Sequence, residues 1–343
     1  MRVNDFAFLD SLKETVNHVK SAEAEKLSRT DPKLLELKEA LSNLANYRSV
    51  LDELMPLVDE NGHIKDSVYW RDLRTTLIDA AGCQERLEKD DANEADSFHT
   101  YAELYDDVIG TICLNDFMAG FIRFVFEKKA VDLSSASFLS IGCGTGIVEE
   151  HILKQYPLPY EHLTGIDLSE AMAREASNRI QARAVDFLKM EAQDSTWDIS
   201  FAGLNVFQYM PHTMLEDAIR KTAELTNSGG FFFGDFITPD HVRWYPHVIE
   251  GANVISLRQP VLVEREFNTF QQSEIINISR LHDHFSVTYE GKHLRYLPSM
   301  GKVKALFEKH FSHVELYDAV SLQKVPSDGE TTPSTRYLLI AGK

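Results

Sequence analysis

Nine consecutive residues, Phe138-Leu139-Ser140-Ile141-Gly142-Cys143-Gly144-Thr145-Gly146, limit the fold more than any other stretch of the chain. Four largely apolar residues with strand character run into a turn carrying three glycines, and a helical pattern follows. Glycine in such a turn lets the main chain reverse sharply and lets a ligand come close to the backbone. The helix behind it offers unpaired N–H groups and the positive end of its dipole. A strand, a Gly-rich turn and a helix in that order form the first unit of a parallel sheet, and the rest of the chain decides what the turn holds.

The pattern repeats downstream. His162 to Ile166 reads as a second strand, ending at Asp167. Ser169 is placed as the N-cap of a helix over 170–181, with Glu170 favourably set against the dipole. Ala182 to Val185 reads as a third strand ending at Asp186, and Trp197 to Ala202 as a fourth. A helix over 213–225 leads through a turn at Asn227-Ser228-Gly229-Gly230 to a buried fifth strand, Phe231 to Phe236. Repeated strand–helix units predict an α/β fold, a doubly wound parallel sheet with helices on both faces. Residues 253–296 break the pattern with long strand-like stretches and a predicted hairpin turn at Glu290-Gly291-Lys292, the mark of an antiparallel insertion. A helix over 299–310 and strands at His313–Leu316 and Arg336–Ala341 close the chain.

Upstream, Asp31-Pro32 reads as a helix start, and Leu34, Leu37, Leu41, Leu44, Leu51 and Leu54 line one face as far as Pro56. A second helical stretch carries Tyr69, Trp70, Leu73, Leu77 and Ile78. The acidic run at 88–97 separates an N-terminal helical subdomain, residues 1–94, from a main domain, residues 95–343, with the insertion at 253–296 inside it. The subdomain is expected to pack on the rest, to close as a lid or to build a homodimer. Residues 99–130 read as aromatic-rich helix.

Charge narrows the partners. Fifty-three acidic residues against 35 Lys and Arg give −18, which disfavours nucleic acid and anionic membrane surfaces as partners. No apolar run reaches the length of a membrane span, and the first residues lack a secretory core. Cys83, Cys113 and Cys143 lie far apart, so neither a disulfide framework nor a metal site is expected. These features together predict a cytoplasmic protein.

The candidate binding groups fall at the carboxyl ends of the first three strands, the edge where open parallel sheets bind ligands. The loop Gly142–Gly146 ends the first. Asp167 ends the second, where a carboxylate accepts hydrogen bonds from both ribose hydroxyls. Asp186-Phe187 ends the third, where an acid meets an adenine amino group and a ring flanks the base. The glycine spacing is G-x-G-x-G, and Ile147 stands where a dinucleotide site carries its third glycine. The loop therefore suits a nucleoside without a pyrophosphate.

Phe138 to Gly146, Gly165-Ile166-Asp167-Leu168-Ser169, Asp186-Phe187 and Trp197-Asp198-Ile199 together resemble the class I S-adenosylmethionine-dependent methyltransferases of small-molecule type. The likeness spans about residues 99–343. It implies a Rossmann-like sheet of seven strands, mostly parallel, with the last one antiparallel. S-adenosylmethionine is the implied cofactor. Gly142, Cys143, Gly144 and Gly146 would pass its amino-acid end, and Asp167 would take the ribose. Leu168 and Met172 would lie beside the adenine, with Asp186 and Phe187 at its edge and face. Asn205, in Gly203-Leu204-Asn205, would line the methionine end. Tyr105-Asp106 matches a Tyr-Asp pair of related enzymes, so Tyr105 would close over the reacting centre; Tyr101 lies in the same helix.

The implied reaction is in-line methyl transfer to an N or O atom of a small-molecule acceptor, with positioning supplying much of the rate. C- or S-methylation, or a non-catalytic binding protein of this fold, are the alternatives. Gln208 stands where related enzymes often carry a histidine, and it cannot act as a base. Among Asp235, His241, Trp244, Tyr245 and His247, His241 is the first choice for that role. The insertion resembles the acceptor-side extension of glycine and amino-sugar N-methyltransferases, and Arg295 and Tyr296 at its end are placed to meet a carboxylate or hydroxyl. No Asn/Asp-Pro-Pro-Tyr-like sequence follows the fourth strand, as a nucleic-acid methyltransferase would favour.

Overall fold

The computed structural model describes residues 7–21, 32, 36, 39, 47–88, 102–110, 117–191, 196–265, 269–281, 284–326 and 332–343. They form two compact units, residues 96–245 with 261–272 and 294–343, and residues 1–95 with 246–260 and 273–293.

The larger unit is built on a seven-stranded sheet. Its strands are β1 (Phe138–Ile141), β2 (Leu163–Asp167), β3 (Gln181–Ala184), β4 (Trp197–Ala202) and β5 (Thr226–Ile237), completed by β10 (His313–Asp318) and β11 (Arg336–Gly342). The order is β10-β11-β5-β4-β1-β2-β3. β1 pairs in parallel with both β2 and β4, and β4 with β5. β11 alone runs antiparallel, between β5 and β10. The order reverses at β1, so the turn at Gly142 opens at the topological switch point, where this architecture binds ligands.

Both faces of the sheet are buried, which explains its near-continuous apolar strands. In β5, Phe231 and Phe233 face a cluster with Phe121, Val125 and Phe126 of the helix Ala119–Lys129 and Ile152 of the helix Ile147–Gln155. Phe232 and Phe236 face the opposite cluster, with Leu215 and Ile219 of the helix His212–Leu225 and Phe307 of the helix Met300–Glu308. Each fully buried Phe contributes roughly 1.5–3 kcal/mol.

The smaller unit joins distant parts of the sequence. Leu9, Leu12 and Val16 of the helix Ala7–Ser21 and Leu73 and Leu77 of the helix Ser67–Glu88 share one core with Ile255, Leu257, Ile276, Ile278 and Val287. Those last five lie on β7 (Val254–Val263), β8 (Phe270–Leu281) and β9 (His284–Tyr296), which with β6 (Val248–Glu250) make a four-stranded sheet ordered β6-β7-β8-β9. Trp70 Nε1 donates to Gln259 Oε1 at 2.6 Å, and Arg74 pairs with Glu274.

Three local expectations change, and the leucine-lined helix is described only in part. Glu290-Gly291-Lys292 lies inside β9 and makes no hairpin turn, because glycine also sits within extended strands. The helix after Asp167 covers Glu170–Ala176 only, since Ser177–Ile180 turns back to let β3 start at Gln181. Asn227–Gly230 is a bulge within β5: β4 advances from Trp197 to Ile199 while β5 advances from Thr226 to Phe231, with Gly229 at φ 81°. The N-terminal helix is described over Tyr47–Leu54, followed by a 3-10 turn at Met55–Leu57. Leu34, Leu37, Leu41, Leu44, Tyr101, Cys113 and the boundary at 94/95 lie outside the described residues.

Candidate active site

The turn after β1 closes on β2. Gly142 N–H and Cys143 N–H both donate to Ile166 O, at 2.7 and 3.0 Å. Gly142 has φ 66°, and a Cβ there would stand 2.5 Å from Val206 Cγ1, so only glycine fits. Cys143 packs its sulfur against Gly165, and burial pushes its thiol well up, which leaves it an inert filler of the turn.

Asp167 is the hinge of this edge. Its Oδ2 accepts from Gly144 N–H and its Oδ1 from Ser169 N–H, both at 2.9 Å. The main chain thereby sets the carboxylate at the mouth of the switch point, half-buried. Beside it Leu168 is 77% exposed, an unusual state for a leucine, while Met172 is buried in the helix behind. Asp186 caps the short turn Phe187–Lys189 through Leu188 N–H at 3.2 Å and pairs with Lys189. Phe187 is 7% exposed and stacks on Phe207 with centroids 6.1 Å apart, so most of its ring belongs to the core.

Tyr105 lies over the loop: its Cε1 is 3.8 Å from where a Gly144 Cβ would sit. Asp106, opening a π-helical turn over Asp106–Gly110, accepts from Thr145 Oγ1 and pairs with Arg179 at 2.5 Å. Arg179 also donates to Thr145 O at 2.8 Å. This fastening was absent from the sequence reading, because 34 residues separate Arg179 from Thr145. Glu149 was also missed. It is 2% exposed, takes Ser140 Oγ on one oxygen at 2.6 Å and leaves the other buried without a partner. Burial pushes its carboxyl up to about 7.

The ends of β4 and β5 are built differently. Leu204 and Asn205 are consecutive left-handed residues, at φ 56° and 55°, although neither is glycine. Such residues cost about 1–3 kcal/mol each and gather where function demands the geometry. Asn205 N–H donates to Asp235 Oδ1 at 3.2 Å, and its buried Nδ2 has no partner. Asp235 in turn pairs with Arg336. Gln208 clamps the end of β5, donating to Ile237 O and accepting from Ile237 N–H at 2.8 Å each.

His241 Nδ1 meets Thr335 Oγ1 at 3.0 Å. Burial first, then Arg336 and Arg295, push its pKa down to about 3. Burial and the two arginines make His241 a weaker proton acceptor than an ordinary histidine, while its Nδ1 contact leaves Nε2 as the nitrogen that could meet an acceptor. His247 is in the smaller unit, stacked on Trp70 at 5.4 Å and accepting from Ile64 N–H. Trp244 is exposed. Tyr209 and Tyr245 instead gather around Arg295, which donates to Tyr209 Oη from Nε at 3.1 Å and from Nη2 at 2.9 Å. Tyr296 faces His212 and Phe270. Among the described residues no cluster of His, Cys, Asp and Glu forms a metal site, and no helix is long and apolar enough to cross a membrane.

Residues 138–230 match the family model of a methyltransferase domain. Over that stretch the chain carries a methyltransferase domain, and its fold is that of the class I S-adenosylmethionine-dependent methyltransferases. Solved structures repeat its fold. An S-adenosylmethionine-dependent methyltransferase from Clostridium acetobutylicum is 14% identical, over 72% of this chain and 99% of that one, with a TM-score of 0.54. The CcbJ methyltransferase of Streptomyces caelestis is 15% identical over 73% and 98%, with a TM-score of 0.55. The sugar N-methyltransferase KedS8 of a Streptoalloteichus species is 16% identical over 70% and 92%, with a TM-score of 0.51. No curated protein matches the sequence. S-adenosylmethionine is the cofactor that such a domain implies, and the loop fits it: the left-handed glycines keep its floor clear of side chains, and the orphaned Nδ2 of Asn205 supplies a buried donor.

Proposed function

We propose that this methyltransferase methylates an N or O atom of a small-molecule acceptor, with its cofactor seated across the ends of β1, β2 and β4. The observation that carries the reading is the Asp167 carboxylate, fixed by Gly144 N–H and Ser169 N–H beside the glycine loop. That carboxylate takes the ribose hydroxyls. Gly142, Cys143, Gly144 and Gly146 face the amino-acid end, and Asn205 donates to it. Leu168 and the edge of Phe187 flank the adenine, Asp186 takes its amino group, and Met172 backs the pocket wall. Tyr105 covers the loop, held down through Asp106.

S-adenosylmethionine supplies a methyl group on a sulfonium, open to in-line attack. The protein's part is to orient the acceptor and keep its attacking atom unprotonated. Arg295 and Arg336 give the β4–β5 edge a positive field, which disfavours an ammonium and favours a free amine. His241, neutral at pH 7, accepts a hydrogen bond from the acceptor's N–H or O–H without removing a proton in advance. The sugar N-methyltransferase among the structural neighbours supports nitrogen over oxygen.

The test is calorimetry with S-adenosylhomocysteine. Binding to the unaltered chain is expected, and Asp167→Ala should weaken it by about tenfold or more, a charge-assisted hydrogen bond being worth roughly 1.5–3 kcal/mol. Equal affinity in the two proteins would remove Asp167 from the cofactor site, and no binding to either would remove the reading itself.

A further inference from the structure

Half-buried cations are ordinarily matched by anions, because an unmatched charge out of water is costly. In the larger unit Arg179 pairs with Asp106 and Arg336 with Asp235. Arg295 is different. Its guanidinium, half-buried at the end of β9, meets only phenols: Tyr209 Oη accepts two of its N–H groups, and its carbon lies 5.2 and 5.4 Å from the Tyr209 and Tyr245 ring centroids. No carboxylate among the described residues pairs with it, in a chain where acidic residues outnumber basic ones 53 to 35.

Three elements bring this cluster to the acceptor edge. Tyr209 ends the 3-10 turn Val206–Tyr209 after β4 and follows the Gln208 clamp on β5. Tyr245 follows the 3-10 turn Pro239–Trp244 after β5, and Arg295 precedes the helix Met300–Glu308. Phenol hydroxyls orient a guanidinium without neutralising it. With Nε and Nη2 committed to one oxygen, the fork is held in a single orientation.

We propose that the methyl acceptor carries a carboxylate, and that the Arg295 guanidinium, held in place by Tyr209, binds it. This rests on the methyltransferase reading above and gives its acceptor a chemical class: a small amine or alcohol bearing a carboxylate. Arg295 is then a specificity-determining residue. It also places the acceptor by its anionic end, away from the attacking atom, so the carboxylate is a handle and takes no part in the transfer. The depressed His241 reports the same field from a neighbouring position, since Arg336 and Arg295 both act on it after burial.

The test uses the full chain saturated with S-adenosylhomocysteine, titrated with benzoate and with benzamide, its neutral analogue of similar shape. Benzoate is expected to bind about tenfold more tightly than benzamide, in line with a charge-assisted pair. Arg295→Met should remove that preference while S-adenosylhomocysteine affinity stays unchanged, and Arg295→Lys should recover only part of it, because an ammonium lacks the planar fork. Equal binding of the two probes by the unaltered protein, or no benzoate saturation below about 50 mM, a free energy of under about 2 kcal/mol, overturns the proposal without any variant. An Arg295→Met protein that keeps the full preference overturns it as well. Failure of S-adenosylhomocysteine to bind in the first step would instead strike the methyltransferase reading, so the two failures are separable.

Discussion

The two edges of the candidate site are wired in opposite ways. The β1–β2 edge is local: Gly142, Gly144, Asp167 and Ser169 lie within 28 residues, joined by main-chain N–H groups that any strand–turn–helix repeat supplies. The β4–β5 edge is assembled from afar. Arg295 meets Tyr209 across 86 residues, Arg336 meets Asp235 across 101, and His241 meets Thr335 across 94. The first edge presents a shape that one cofactor fits. The second presents side chains brought together only by the tertiary fold, and this is where the proposed acceptor preference would be set.

The sharpest way to break the comparison is to put a side chain into the first edge. Gly142→Ala combines a left-handed φ of 66° with a Cβ 2.5 Å from Val206, whose branched side chain cannot swing away. It should destabilise the protein by about 2–4 kcal/mol in urea unfolding. Gly229→Ala is the control: φ is 81° but nothing lies within 4 Å of the new Cβ, so about 1–2 kcal/mol of strain remains. Equal losses in the two proteins would show that conformation alone, and not the close approach of β4's loop, demands glycine at 142.

Next comes pH. Glu149, behind the first edge, has its carboxyl raised from 4.5 to about 7. The folded state keeps a proton there that the unfolded state releases above pH 4.5, so stability falls as pH rises from 4.5 to 7 and stays reduced above. The loss is on the order of 3 kcal/mol. Glu149→Gln keeps an acceptor for Ser140 and cannot ionise. It should match the unaltered protein near pH 4.5 and exceed it at pH 8. His241, at the second edge, runs the other way. Its pKa falls from 6.5 to about 3, so the stability it confers is present above pH 6.5 and is lost as pH falls towards 3. His241→Gln should flatten that acid limb. Parallel unfolding curves for Glu149→Gln and the unaltered protein at both pH values would show that the carboxylate is solvated and that its burial has no titration cost.

The same contrast explains what could be read from the chain beforehand. The parallel strands were legible because apolar runs alternate with amphipathic stretches, and β1 to β4 fall within a residue of where the pattern puts them, while β5 begins five residues before the expected Phe231; the count of seven came from the resemblance. Asp167 and the glycine loop were legible because their spacing is the structure. Tyr209 was not, since no local pattern tells a tyrosine that orients an arginine 86 residues away from one that fills a core. Asn205 was placed by resemblance, yet its left-handed backbone and orphaned Nδ2 are tertiary facts. His241 was chosen for its chemistry, and its basicity is suppressed first by burial and then by two arginines that lie 54 and 95 residues on. The helices near the N-terminus and the β-rich insertion read as separate pieces, because Trp70–Gln259 and Arg74–Glu274 leave no trace in either segment alone.

The smallest effect tests the division most finely. Leu168 follows Asp167 directly and is 77% exposed, so it adds almost nothing to the core. Leu168→Ser should therefore shift stability by no more than about 0.5 kcal/mol, as surface substitutions do. If the residue covers the adenine, the same change removes apolar contact that exists only in the complex. About 40 Å² of apolar contact, at about 25 cal/mol per Å², corresponds to roughly 1 kcal/mol and a three- to tenfold loss of S-adenosylhomocysteine affinity. Benzoate binding at Arg295 should not change, because that cluster belongs to the other edge. A stability loss as large as the affinity loss would mean that Leu168 serves the fold, and its exposure beside Asp167 would no longer speak for a ligand.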